Sequence, residues 1–132
     1  MRDTVLDSHA LIALLFGERG CEKVTALLER AAEAERPALV CAANWAEVGY
    51  TVTRKAGAEG WRQARDRLLG LPIKIIDVGQ DLAERAGELK VPGRMSLADC
   101  FAAALAIELG ADLVTGDPEF KAVEDRLRIV WL

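Results

Sequence analysis

The sequence predicts an α/β domain: a parallel sheet with helices on both faces. Three observations carry the prediction. Short β-prone apolar runs recur at Thr4–Leu6, Ala38–Cys41, Ile73–Val78, Leu113–Thr115 and Ile129–Trp131. Segments with helical apolar spacing separate them, and strict alternation of strand and helix leaves successive strands parallel. Runs such as Ala38-Leu39-Val40-Cys41 are apolar at every position, as a strand covered on both faces must be.

Each element has a local reason. The first strand runs through about Leu6, and the segment Ser8 to Phe16 is apolar all round, so a buried helix is expected before the break at Gly17-Glu18-Arg19-Gly20. Cys21 to Ala34 carries Val24, Leu27, Leu28 and Ala31 on one stripe, an amphipathic helix that Pro37 closes off. Asn44-Trp45-Ala46-Glu47 has the spacing of a capping box and predicts a helix from Asn44 to about Lys55. Gly57 and Gly60 flank a turn, and Trp61 to Leu69 is an Arg-rich amphipathic helix. Asp81 to Lys90 is a further helix with Leu82, Ala86 and Leu89 inward, stopped by Val91-Pro92-Gly93. Ser96-Leu97-Ala98-Asp99 is a second capping box, opening a helix that Gly110 terminates. Gly116-Asp117-Pro118 opens a short helix before the last strand.

With 132 residues, 52% of them hydrophobic and 29% charged, the chain is expected to be one domain, 1–132, with its own core. There are 17 basic and 21 acidic side chains, a net charge of −4. That balance counts against nucleic-acid binding. Yet the segment from Arg54 to Lys74 holds six basic residues against Glu59 and Asp66, which reads either as a solvated helix face or as a phosphate-binding strip. The three cysteines are odd in number and lack zinc-site spacing; Cys41 and Cys100 sit in apolar runs, which points to a reducing compartment without structural disulfides. The first residues include Asp3 and Asp7, unlike a signal peptide, and no apolar run approaches the ~20 residues of a membrane span. A cytoplasmic location is expected.

Four acids stand out: Asp7, Glu47, Asp99 and Asp117. Each has a plain explanation as a helix cap or capping-box partner. The set is harder to explain that way. Asp7, Glu47 and Asp117 closely follow strands, and a parallel sheet puts all strand ends on one edge, where ligand chemistry collects in α/β folds. Asp99 opens a helix in which Glu108 is the only other polar residue from Leu97 to Leu109, so its carboxylate is expected to be buried. Burying unpaired carboxylates together is costly and raises their pKa values, and a helix N-terminus offsets only ~0.3–1 kcal/mol. A divalent cation resolves the conflict. An all-oxygen set suits Mg²⁺ or Mn²⁺. Ser8, Asn44, Ser96 and Thr115 surround the acids as capping groups or as supports that orient them. His9, the single histidine, reads as structural, and no arrangement of Ser, Cys and His suggests a covalent nucleophile.

Val5-Leu6-Asp7-Ser8, Asn44-Trp45-Ala46-Glu47, Met95-Ser96-Leu97-Ala98-Asp99 and Leu113-Val114-Thr115-Gly116-Asp117 resemble, in order and spacing, the four acidic motifs of PIN-domain nucleases. The resemblance spans essentially the whole chain, and compact proteins of this kind are similar to the toxins of VapBC-type toxin–antitoxin modules. Ser8 stands where a threonine is often found after the first acid. The resemblance implies a Rossmann-like, three-layer α/β/α fold with five parallel strands in the order 3-2-1-4-5. It implies Mg²⁺ or Mn²⁺ at Asp7, Glu47, Asp99 and Asp117, endonucleolytic cleavage of RNA, a homodimer and a cognate antitoxin. Lys90 and Arg94, just before the third motif, are candidates to hold the RNA backbone or are simply solvated. The rival readings are a catalytically silent binding module, in which the acids only cap helices, and a phosphatase or phosphoacceptor domain, for which neither the Ser8-His9 nor the Thr115 region supplies the second acid or lysine required.

Overall fold

The computed structural model describes residues 2–132. Strand β1 (Thr4–Leu6) leads into helix α1 (Ser8–Phe16), followed by α2 (Cys21–Glu33), β2 (Ala38–Cys41), α3 (Ala42–Leu69), β3 (Ile73–Ile76), α4 (Gln80–Lys90), α5 (Leu97–Leu109), β4 (Asp112–Thr115), a 3-10 helix (Pro118–Val123) and β5 (Ile129–Trp131). The five strands form one parallel sheet in the order β3-β2-β1-β4-β5. This is the expected PIN-like α/β/α arrangement.

The alternation of side chains along each strand divides the core. Val5, Leu39, Cys41 and Leu113 face the side covered by α4, α5 and the 3-10 helix, where Phe120 is fully buried. Leu6, Val40 and Val114 face α1, α2 and α3. Every residue of β2 is buried, as its unbroken apolar run requires. Helix α1 departs from expectation. Ala10, Leu11 and Ala13 are buried against the sheet, but Ile12, Leu14 and Leu15 are only partly covered and Phe16 is 40% exposed. Helices α2 and α3 both pack against α1, yet they leave part of its apolar surface uncovered.

The two helices expected at 44–55 and 61–69 are the halves of α3, bent at Gly57 (φ 76°, ψ 176°). The bend must be sharp. In a straight helix Trp45 and Trp61 would stand about 24 Å apart at 1.5 Å per residue, yet their rings meet edge to face with centroids 5.3 Å apart. Gly60 lies within the helix, where a Cβ would fall 2.4 Å from that of Ala56. Gly57 occupies a backbone region almost reserved for glycine, so Gly57→Ala is expected to lower stability by about 1–3 kcal/mol, read from chemical denaturation.

Candidate metal centre at the carboxyl edge of the sheet

Helix α5 runs back across the sheet, so its N-terminus lies with the carboxyl ends of β1 and β4. That geometry brings residues 7, 99 and 117 to one edge. Asp7 is 1% exposed. It caps α1, its Oδ1 accepting from the Ala10 N–H at 2.9 Å, while its Oδ2 accepts from the Thr115 hydroxyl. Thr115 Oγ1 in turn accepts from the Asp117 N–H at 3.0 Å. One hydroxyl therefore ties the end of β1 to the turn after β4. Asp117 caps the 3-10 helix through the Glu119 N–H at 2.9 Å, with Pro118 at the first position. Asp99 is 6% exposed in the first turn of α5, and Ser96 caps that helix by accepting from the Asp99 N–H at 3.2 Å. Capping and clustering are thus both true of Asp7 and Asp117.

The carboxylates converge. One oxygen each of Asp99, Asp117 and Glu119 lies within 4.8 Å of the others. Asp7 adjoins them: burial pushes its carboxyl up to about 7, against the opposing hydrogen bonds from Thr115 and Ala10, and the charges of Asp117 and Glu47 add to the rise. Burial likewise pushes Asp99 up to about 7, followed by repulsion from Asp117 and Asp7, with Glu119 adding to it. Glu47 stands further out. It is half-buried on the first half of α3, accepts from the Tyr50 hydroxyl at 3.2 Å, and by its charge raises that phenol's pKa. Among the described residues none of the five acids makes an ion pair. Close, partly buried and unpaired oxygen donors fit a hard divalent cation.

Glu119 was not singled out from the sequence. Its carboxylate is exposed, and an acid in the first turn after Pro118 looks like ordinary helix-dipole complementation. The available signal was its place two residues after Asp117, which a tight 3-10 turn converts into a shared position.

Asn44 departs from its expected role. Helix α3 starts at Ala42 with Cys41 as N-cap, because β2 passes into the helix without a loop, so Asn44 and Glu47 do not form a capping box. Asn44 is instead fully buried. Its Nδ2 donates to Ser8 Oγ at 3.2 Å and to the Ala98 carbonyl at 3.1 Å, sewing together the first turns of α1, α3 and α5. Its Oδ1 has no hydrogen-bond partner. Asn44→Ala would remove both bonds that its Nδ2 donates in the interior, while the Ser8 hydroxyl keeps the main-chain carbonyl of residue 44. The substitution is expected to cost about 1–3 kcal/mol in a thermal or urea melt.

The basic candidates separate. Lys90 Nζ donates to the Met95 carbonyl at 2.6 Å and so pins the α4–α5 loop. Arg94 is exposed on that loop and lines a cavity of about 290 Å³ with Glu88 and Arg126, which none of the five acids lines. In the basic strip Arg62 pairs with Glu59 and Arg65 with Asp66, Arg54 sits over the Tyr50 ring and Lys55 over the Phe16 ring. Four of its six basic side chains are engaged locally, and the ring contacts leave the charges of Arg54 and Lys55 in place.

Comparison with known proteins agrees with this geometry. Among solved structures, the chain is similar to VapBC2 from Rickettsia felis bound to a promoter DNA fragment (TM-score 0.77, 21% identity, 96% of each chain covered). It is similar to a toxin–antitoxin complex from Klebsiella pneumoniae (TM-score 0.69, 24% identity, 97% of this chain and 96% of that one). It is also similar to VapC20 of Mycobacterium tuberculosis, a toxin that cleaves the sarcin–ricin loop (TM-score 0.71, 19% identity, 92% and 95% covered). A search of curated proteins finds no significant match. The PIN domain family model matches residues 4–126, which takes in all five acids and all but the last strand. The chain is a member of the PIN domain family.

Proposed function

We propose that this protein is a divalent-metal-dependent endoribonuclease serving as the toxin of a toxin–antitoxin pair. The observation that carries the reading is the convergence of Asp99, Asp117 and Glu119 beside a buried Asp7, with no cation from the described chain to balance them. Asp7, Asp99, Asp117 and Glu119 would hold Mg²⁺ or Mn²⁺, with Glu47 acting from the rim. An ion held there would supply charge neutralisation, polarisation of a phosphoryl oxygen and a lowered pKa for an attacking water.

The chain's own residues do the rest. Thr115 holds Asp7 and the Asp117 backbone in register, so that two acids from different strands keep a fixed separation. Ser96 and Asn44 fix the start of α5, and with it Asp99. The apolar body of α5 walls off the inner side of the acids from water. Exposed Arg94, on the loop before α5, would meet the RNA backbone, and Lys90 acts on the loop that carries it.

Similarity to toxin–antitoxin complexes supports a cognate antitoxin as partner. The exposed Phe16, Val91, Leu97 and Leu109 offer apolar area for that partner and for a homodimer. No described helix is long and apolar enough to cross a membrane, and all three cysteines are free, which supports a cytoplasmic location. The test is cleavage of end-labelled RNA by wild type and Asp7→Asn, each in Mn²⁺ and in EDTA. Cleavage by wild type in Mn²⁺ alone is expected; equal outcomes in all four mixtures would end the proposal.

A further inference from the structure

A cavity of about 340 Å³ is lined by His9 of α1, Glu18, Arg19, Gly116, Pro118 and Leu132. Its position is informative. Gly116 and Pro118 flank Asp117 in the chain, and His9 lies two residues beyond Asp7. None of the five acids lines the cavity, but its wall is one residue along the chain from Asp117 and two from Asp7, the pair that Thr115 ties together. A Cβ on Gly116 would stand 2.4 Å from His9 Cε1 and 3.0 Å from each ring nitrogen. The imidazole thus rests its Cε1 end on the Gly116 backbone at a separation only glycine permits, and His9 as a residue is exposed. Glu18 and Arg19 are exposed on the α1–α2 turn and make no ion pair with each other.

The charges decide what would fit. A phosphate would gain from Arg19 but be repelled by Glu18. A nucleobase has a π-face for the imidazole, acceptor groups for the guanidinium fork and N–H groups for the carboxylate. We propose that this cavity holds the base next to the phosphodiester being cut, with His9 as its stacking partner and Arg19 and Glu18 reading its edge. The proposal rests on the nuclease reading and adds a base preference to it.

The test uses full-length wild type, His9→Ala, His9→Phe and Arg19→Ala on a randomised single-stranded RNA pool in Mn²⁺, with the cut ends sequenced and KM and kcat measured on one good substrate. Wild type is expected to prefer particular bases at one position flanking the cut. Arg19→Ala should flatten that position alone. His9→Ala should raise KM about 5- to 100-fold with little change in kcat, and His9→Phe should restore it. The Mn²⁺-induced rise in melting temperature should be the same in all four proteins, since none of these side chains belongs to the acid cluster. A KM and base preference unchanged across the variants, or no preference in wild type, overturns the subsite while leaving the nuclease reading intact. A wild type that cuts no RNA overturns both.

Discussion

Asp99→Asn is expected to lower RNA cleavage at least about a hundredfold while making the metal-free protein more stable at pH 8. Both effects come from one cause. Asp99 is 6% exposed, and its carboxyl is pushed up to about 7, first by burial, then by Asp117 and Asp7. A carboxyl whose folded pKa lies above its ordinary value contributes stability that is full below about pH 4. That stability is lost as pH rises through 7. At pH 8 the wild-type acid is ionised against its surroundings, at a cost of up to a few kcal/mol. The neutral amide keeps the shape and removes that cost, so melting should rise by several degrees at pH 8 and hardly at all at pH 5. Cleavage should fall because an uncharged oxygen is a poor ligand for a hard cation. A variant that cuts RNA normally would remove Asp99 from the centre. A variant that melts lower at pH 8 would show that the carboxylate is stabilised by its surroundings, contrary to the crowding described above.

The sheet and its acidic edge were legible because both are written in short-range chemistry. Thr4–Leu6 and Ala38–Cys41 are strand-like in every residue. Asp117-Pro118 and Ser96-Leu97-Ala98-Asp99 signal helix starts through their own backbone needs, and both form as expected. What sequence reasoning missed depends on distance in space. Asn44 and Glu47 match a capping box by spacing, but β2 feeds α3 directly, so Asn44 falls inside the first turn and serves three helices at once. Glu119 looks like a surface acid until the 3-10 turn folds it towards Asp99, twenty residues away in sequence. The outer side of α1 was read as buried because its composition is apolar, whereas exposure there depends on how far α2 and α3 reach across it.

Adding Mn²⁺ should stabilise the protein, and the gain should grow with pH. Below about pH 5 both Asp7 and Asp99 hold their protons, since each is pushed up to about 7. A cation must then displace those protons before it can bind. At pH 8 the acids are already ionised and mutually repelled, so the same cation relieves strain and binds without that competition. For a ligand at a hundred times its dissociation constant the gain is about 2.7 kcal/mol, which in a domain of this size raises melting by several degrees. Melting curves at pH 5.5 and 8 with and without Mn²⁺ measure this, and EDTA should reverse it. Calorimetry near pH 6.5 in two buffers of different ionisation enthalpy should register proton release on binding, less than two protons per ion because part of each group is already ionised there. Asp7→Asn should release fewer. Helix capping predicts none of this: Asp7 already has the Ala10 N–H and Asp117 the Glu119 N–H, and those bonds are indifferent to manganese. A melting temperature unmoved by Mn²⁺ at pH 8 would leave the five acids as helix caps and surface charges.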